Sequence, residues 1–175
     1  EVIGNTHLSS NTNYNSSDLN KILIISQYSI RHLILNETIR ILPFLKNYEL
    51  FYKLHPKEND LSIYNNIISI AEENNVKFHI CDAAKPISDL QKICYRQIGV
   101  FSTAIYEGLQ YGKPTLILKV EGWRKIEDII QTNDFVILYE DELSMRKFLE
   151  LKTNNDKNTF FEEFKLNYGF EKKYN

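Results

Sequence analysis

No apolar stretch in the chain approaches the roughly 18 residues that a membrane span requires. Only two cysteines occur among 175 residues, Cys81 and Cys94. A secreted disulfide framework normally uses more, so both read as reduced thiols of a cytosolic protein. Neither sign of charge dominates: 21 Lys and Arg stand against 23 Asp and Glu, a net charge of −2. That balance argues against a nucleic-acid footprint. The pattern G-x-x-x-x-G-K-[ST] is missing, which argues against a phosphate-binding-loop ATPase. The pattern G-x-G-x-x-G is missing too, and residues 26–31 read SQYSIR, which argues against an NAD enzyme. The same stretch lacks the acidic cluster with which a phospho-receiver holds magnesium. No Asp-x-Asp occurs, and His79 and Cys81 are too isolated for a zinc site, so no metal ligands are assigned. Glu1 opens the chain without a signal-peptide pattern, and a piece cut from a longer protein is expected.

What remains is ordinary globular material, 43% apolar and 25% charged, enough for one domain with its own core. Residues 1–20 are mostly Asn, Ser and Thr with few apolar anchors and read as a linker or disordered lead-in. The pattern changes at Lys21, and residues 21–152 read as the domain. Residues 153–175 form an aromatic-rich tail or helix, which closes the core edge or faces a missing part of the chain.

Short apolar runs mark six strands: residues 22–26, 50–54, 76–80, 98–101, 115–118 and 135–139. Helical stretches lie between them. Leu61, Tyr64, Ile68 and Ala71 recur at helical spacing beside Ile63, Ile67 and Ile70, with Asn59 or Asp60 as cap and Asn74–Asn75 as left-handed end. Ile126, Ile129 and Ile130 make a shorter stripe. Leu143, Phe148, Leu149 and Leu151 make another after Asp141. Strands alternating with helices predict an α/β, Rossmann-like, doubly wound domain: a mainly parallel six-stranded sheet, order 3-2-1-4-5-6, helices on both faces.

Such sheets bind ligands outside the carboxyl ends of their strands. The polar residues expected there are Ser26 to Ser29, Lys53 to Lys57, Cys81–Asp82, and Ser102–Thr103 opening a helix that carries Glu107. Lys53 and His55 fall on one face of an extended strand, where both can donate to an anionic oxygen, and Pro56 stops the ladder. Ser102 and Thr103 can cap a helix or hold a phosphate with its free N–H groups. Glu107, one turn further on, can accept from ribose hydroxyls or remain a solvated helix residue. Gly108 permits a close approach, and Gly112 followed by Pro114 is a helix stop. Trp123 either packs on the fold or stacks on a sugar or base.

KLHPK, followed 47 residues after His55 by the Ser-Thr of GVFSTAIYEGLQYGKPTLIL, resembles the C-terminal half of GT-B glycosyltransferases. More narrowly, it is similar to bacterial sialyl- and polysialyltransferases and to CDP-glycerol glycerophosphotransferases. The resemblance covers roughly residues 21–140. It implies a domain that binds the nucleotide-activated donor, CMP or CDP rather than UDP, of an enzyme of surface polysaccharide, lipooligosaccharide or capsule synthesis. It implies that His55 bonds the donor phosphate and stabilises the leaving nucleotide, with Lys53 and Pro56 beside it. Ser102 and Thr103 complete the phosphate cradle, and Asp82 or Glu107 takes the ribose. The donor is a substrate, no tightly bound cofactor or metal is called for, and the glycan acceptor falls to a missing N-terminal domain. The acidic motif bearing the general base is not found here; Glu121–Gly122 is only a partial echo. The resemblance thus implies a cytoplasmic protein, peripheral at the inner membrane face in one version, whose present chain alone is inactive. A nucleotide-sugar epimerase of the same two-domain fold, and a non-catalytic α/β interaction domain, stay open.

Overall fold

The structure is a computed structural model and describes residues 19–152. The expected lead-in over 1–18 and the aromatic tail over 153–175 lie outside the described residues. Six strands form one sheet: β1 (Lys21–Ile25), β2 (Glu49–Lys53), β3 (Lys77–Cys81), β4 (Arg96–Gly99), β5 (Thr115–Leu118) and β6 (Val136–Tyr139). Their order is β3-β2-β1-β4-β5-β6, and every neighbouring pair is parallel. This is the doubly wound arrangement the sequence predicts, with no antiparallel edge among the described residues.

The helices are α1 (Arg31–Ile41), α2 (Asn65–Glu73), α3 (Ile87–Ile93), α4 (Thr103–Gln110), α5 (Glu127–Thr132) and α6 (Glu142–Glu150). Side chains alternate across a strand, so the continuous apolar run of β1 serves two cores. Ile22 and Ile24 join residues of α1, α2 and α6 on one face. Leu23 and Ile25 join residues of α3, α4 and α5 on the other. Each fully buried Ile or Leu contributes roughly 1.5–3 kcal/mol, so β1 is the spine of the domain.

Three expectations shift. The apolar stripe before β3 begins as a 3-10 turn, Ser62–Tyr64, and only Tyr64, Ile67 and Ala71 are buried. Leu61 and Ile68 face outward, because the sheet covers one side of a helix that is apolar on more than one. Asp60 anchors its start, accepting from the Ser62 N–H at 2.9 Å, and Asn75 ends it with φ +56°. In α6 the buried pair is Met145 and Phe148, while Leu143 is exposed. Asp141 does cap it, within a reciprocal capping box with Ser144. Strand β4 starts two residues before its apolar run, because its first residues are polar yet buried. Arg96 donates to the carbonyls of Leu19 (2.6 Å), Phe148 (3.4 Å), Leu149 and Leu151 (3.1 Å). Its guanidinium ties the residues before β1 to the last turn of α6, whose orphan carbonyls need donors.

Candidate functional site

The strand order reverses between β1 and β4, so the loops after these strands flank a crevice at the carboxyl edge. Gln27 spans it: its Oε1 accepts the backbone N–H of Phe101 at 3.1 Å. The loop after β4 then opens α4. Ser102 is its N-cap, extended at φ −66°, ψ 145°, with Oγ accepting from the Ala104 N–H at 3.3 Å. Its hydroxyl proton and the exposed Thr103 remain at the positive end of the helix. Gly112, with φ +65°, stops the helix one residue past its cap, Tyr111.

The loop after β2 is a tight turn. The Glu58 N–H donates to the His55 carbonyl at 2.9 Å, and Pro56 takes the second position, whose φ it already fixes. Within the turn, the Lys57 N–H donates to His55 Nδ1 at 3.1 Å. A neutral imidazole with Nδ1 engaged as acceptor carries its proton on Nε2. That Nε2–H, on a half-buried ring 6.2 Å from the exposed Tyr28 ring, has no protein partner among the described residues. Arg31 lies 4.7 Å over the Tyr28 ring centroid and donates to the Tyr28 carbonyl at 2.9 Å.

Glu58 holds this turn against β1, a role the sequence did not reveal. Only 4% exposed, its carboxylate accepts from Ser26 Oγ at 2.6 Å, from the His55 N–H at 3.0 Å and from the Tyr64 hydroxyl. Tyr52 adds a long hydrogen bond to Ser26 Oγ, 3.4 Å. Burial pushes the Tyr52 and Tyr64 phenols far above their ordinary range, so both stay protonated donors. In sequence Glu58 is one acid among 23 Asp and Glu residues. Its closeness to His55 was the only available hint.

Lys53 departs from its expected place. It is buried, and its ammonium donates to the carbonyls of Leu54 (3.0 Å), Asp82 (3.0 Å) and Ala83 (2.7 Å). Three donors meet three acceptors, leaving none for a phosphate. Burial lowers its pKa, but this carbonyl cage suits the charged form. The shared-face expectation fails because β2 ends at Lys53: His55 belongs to the turn, where the period of two no longer applies. Lys53 instead staples the loops after β2 and β3.

Asp82 is exposed after β3, with Oδ1 accepting the Ala84 N–H at 2.7 Å and Oδ2 free of that bond. Glu107 is half-buried on α4, and burial raises its carboxyl pKa. His55, Ser102, Thr103 and Asp82 thus open on one edge, the first beside a fixed turn and the next two at a helix start. Cys81 and Cys94 are free and buried. No protein-family model matches the chain, and no curated protein matches it.

Proposed function

We propose that this domain binds the nucleotide-activated donor of a GT-B-type, sialyltransferase-like glycosyltransferase of bacterial surface polysaccharide, lipooligosaccharide or capsule synthesis. The observation that carries the reading is His55: a turn-locked tautomer offering Nε2–H at the carboxyl edge, with its Nδ1 held by the Lys57 N–H at 3.1 Å. A transferase lengthens the bond to a leaving phosphate, and charge grows on the phosphate oxygens. Donors fixed in advance at that position lower the barrier without reorganising. In this reading His55 donates through Nε2, and the Ser102 and Thr103 hydroxyls with the first N–H groups of α4 hold the phosphate. Asp82 or Glu107 accepts from the ribose. Lys53 acts indirectly, by keeping the loops after β2 and β3 together. The nucleotide is CMP or CDP in preference to UDP, and the group transferred is a sugar or a polyol phosphate.

The test is titration of the chain with CMP, CDP, UDP and UMP, followed by heteronuclear NMR, with His55→Ala as control. Shifts confined to the loops around His55, Asp82 and Ser102, weakened in the variant, are expected. Binding of all four nucleotides unaffected by His55→Ala overturns the reading, as does the lack of any response to all four.

A further inference from the structure

The loop after β5 borders an open surface concavity of about 350 Å³, lined by Lys119, Val120, Glu121, Gly122, Trp123 and Arg124. The volume lies within the range of small-ligand sites. Backbone hydrogen bonds shape the loop: Trp123 N–H to the Val120 carbonyl, 3.1 Å, and Lys125 N–H to the Gly122 carbonyl, 3.0 Å. Gly122 adopts φ +88°, and a Cβ there would stand 2.1 Å from the Phe101 ring. The loop therefore sits tight against the residue that precedes Ser102. Lys125 covers the same ring, 4.2 Å from its centroid.

Trp123 is half-buried: it packs on both cores and still lines the concavity. Around it are donors and an acceptor. Two exposed cations lie over its ring, Lys119 Nζ and the Arg124 guanidinium at 5.9 and 5.7 Å from the centroid, and must swing aside for a ligand to stack there; Glu121 is exposed too. Lys119 is itself paired with Glu140, so the rim mixes both signs instead of forming a purely cationic trap. An indole face suits the C–H face of a ring, and mixed donors and acceptors suit hydroxyls. A linear phosphate ester offers no such face.

We propose that the concavity after β5 is a saccharide subsite in which a pyranose ring stacks on Trp123 while Arg124 and Glu121 bond its hydroxyls. This deepens the donor-domain reading and rests on it for the role of the ring: the group carried is a sugar, not a polyol phosphate. The concavity lies one strand from the Ser102 loop, since β5 neighbours β4. It lies three strand spacings, about 14 Å, from the end of β2.

Trp123 is the only tryptophan of the chain, so its emission reports this site alone. The probes are the methyl glycosides of glucose, galactose, N-acetylglucosamine, glucuronic acid and N-acetylneuraminic acid, against ribitol and glycerol 3-phosphate. At least one glycoside is expected to change the emission saturably, with the two acyclic probes at least tenfold weaker. Saturation-transfer NMR to that glycoside is expected to vanish in Trp123→Leu and weaken in Arg124→Ala, both checked for fold by circular dichroism. No saturable response to any of the five glycosides overturns the proposal, as does equal binding of an acyclic probe. Nucleotide binding is read separately at His55. Nucleotide without saccharide binding sinks only this subsite, and saccharide without nucleotide binding sinks only the donor-domain reading.

Discussion

Ser26 Oγ stands 2.6 Å from Glu58 Oε1 and donates to it, tying the end of β1 to the turn that carries His55. The same oxygen accepts the His55 N–H, and Tyr64 holds the other carboxylate oxygen. Truncation to Glu58→Ala orphans three donors, two buried and one part-buried, at about 1–3 kcal/mol for each buried group left unsatisfied. A loss of about 2–4 kcal/mol in urea unfolding is expected after partial rehydration, with Glu58→Gln losing less. A loss under 0.5 kcal/mol would show that the cluster does not hold the turn.

The His55 tautomer is directly measurable. Long-range nitrogen–proton NMR spectra above the imidazole titration should show Nδ1 as the unprotonated acceptor and Nε2 as the protonated nitrogen, as the Lys57 contact requires. Glu58→Ala should let the two tautomers mix. A proton resident on Nδ1 in the unmodified chain contradicts the turn geometry.

Gly108 faces Gln97 across the α4–β4 contact, and a Cβ there would lie 1.9 Å from Gln97 Oε1. Gln97 cannot easily yield, because its Nε2 donates to the Ile105 carbonyl (2.9 Å) and Thr115 Oγ1 (3.0 Å). Gly108→Ala gains about 1 kcal/mol of helix propensity but overpacks a filled site, at typically 1–3 kcal/mol. A net loss of stability is expected. The double variant with Gln97→Ala should be more stable than the sum of the two single changes, because the methyl then fills the vacated space. Strict additivity would remove the steric explanation.

Burial pushes the Cys94 thiol up to about 12 from an ordinary value of 9.0. The unfolded chain loses this proton first, so the contribution is intact below about pH 9 and is lost as pH rises towards 12. In that window stability should fall by about 1.4 kcal/mol per pH unit from this group. Cys94→Ala removes that component while leaving other alkaline titrations in place. Parallel urea midpoints for the two proteins between pH 8 and 11 would refute the assignment.

Alternation of apolar runs with helical stretches was enough to read the parallel sheet and its order. A strand covered on both faces reads as a near-continuous apolar run, and right-handed crossovers leave few ways to wind such a sheet. Ser102 as N-cap and Gly112 as helix stop were legible for the same kind of reason: each depends on chemistry within a few residues. Leu61, Ile68 and Leu143 were not, because an apolar residue on a helix does not declare which neighbour will cover it.

The site divides along the same line. Sequence placed His55, Asp82, Ser102 and Thr103 at the carboxyl edge, since strand ends fix where loops emerge. Tertiary structure decided which polar groups remain free there. Lys53 looked available and spends its three donors on carbonyls of two loops. Glu58 carried no distinguishing mark in the sequence and is the buried anchor of the His55 turn. Local propensity and period set the elements, because they act over a few residues. The pairing of buried polar groups is settled only when distant segments meet, because a hydrogen-bond partner 30 residues away leaves no mark on the residue itself.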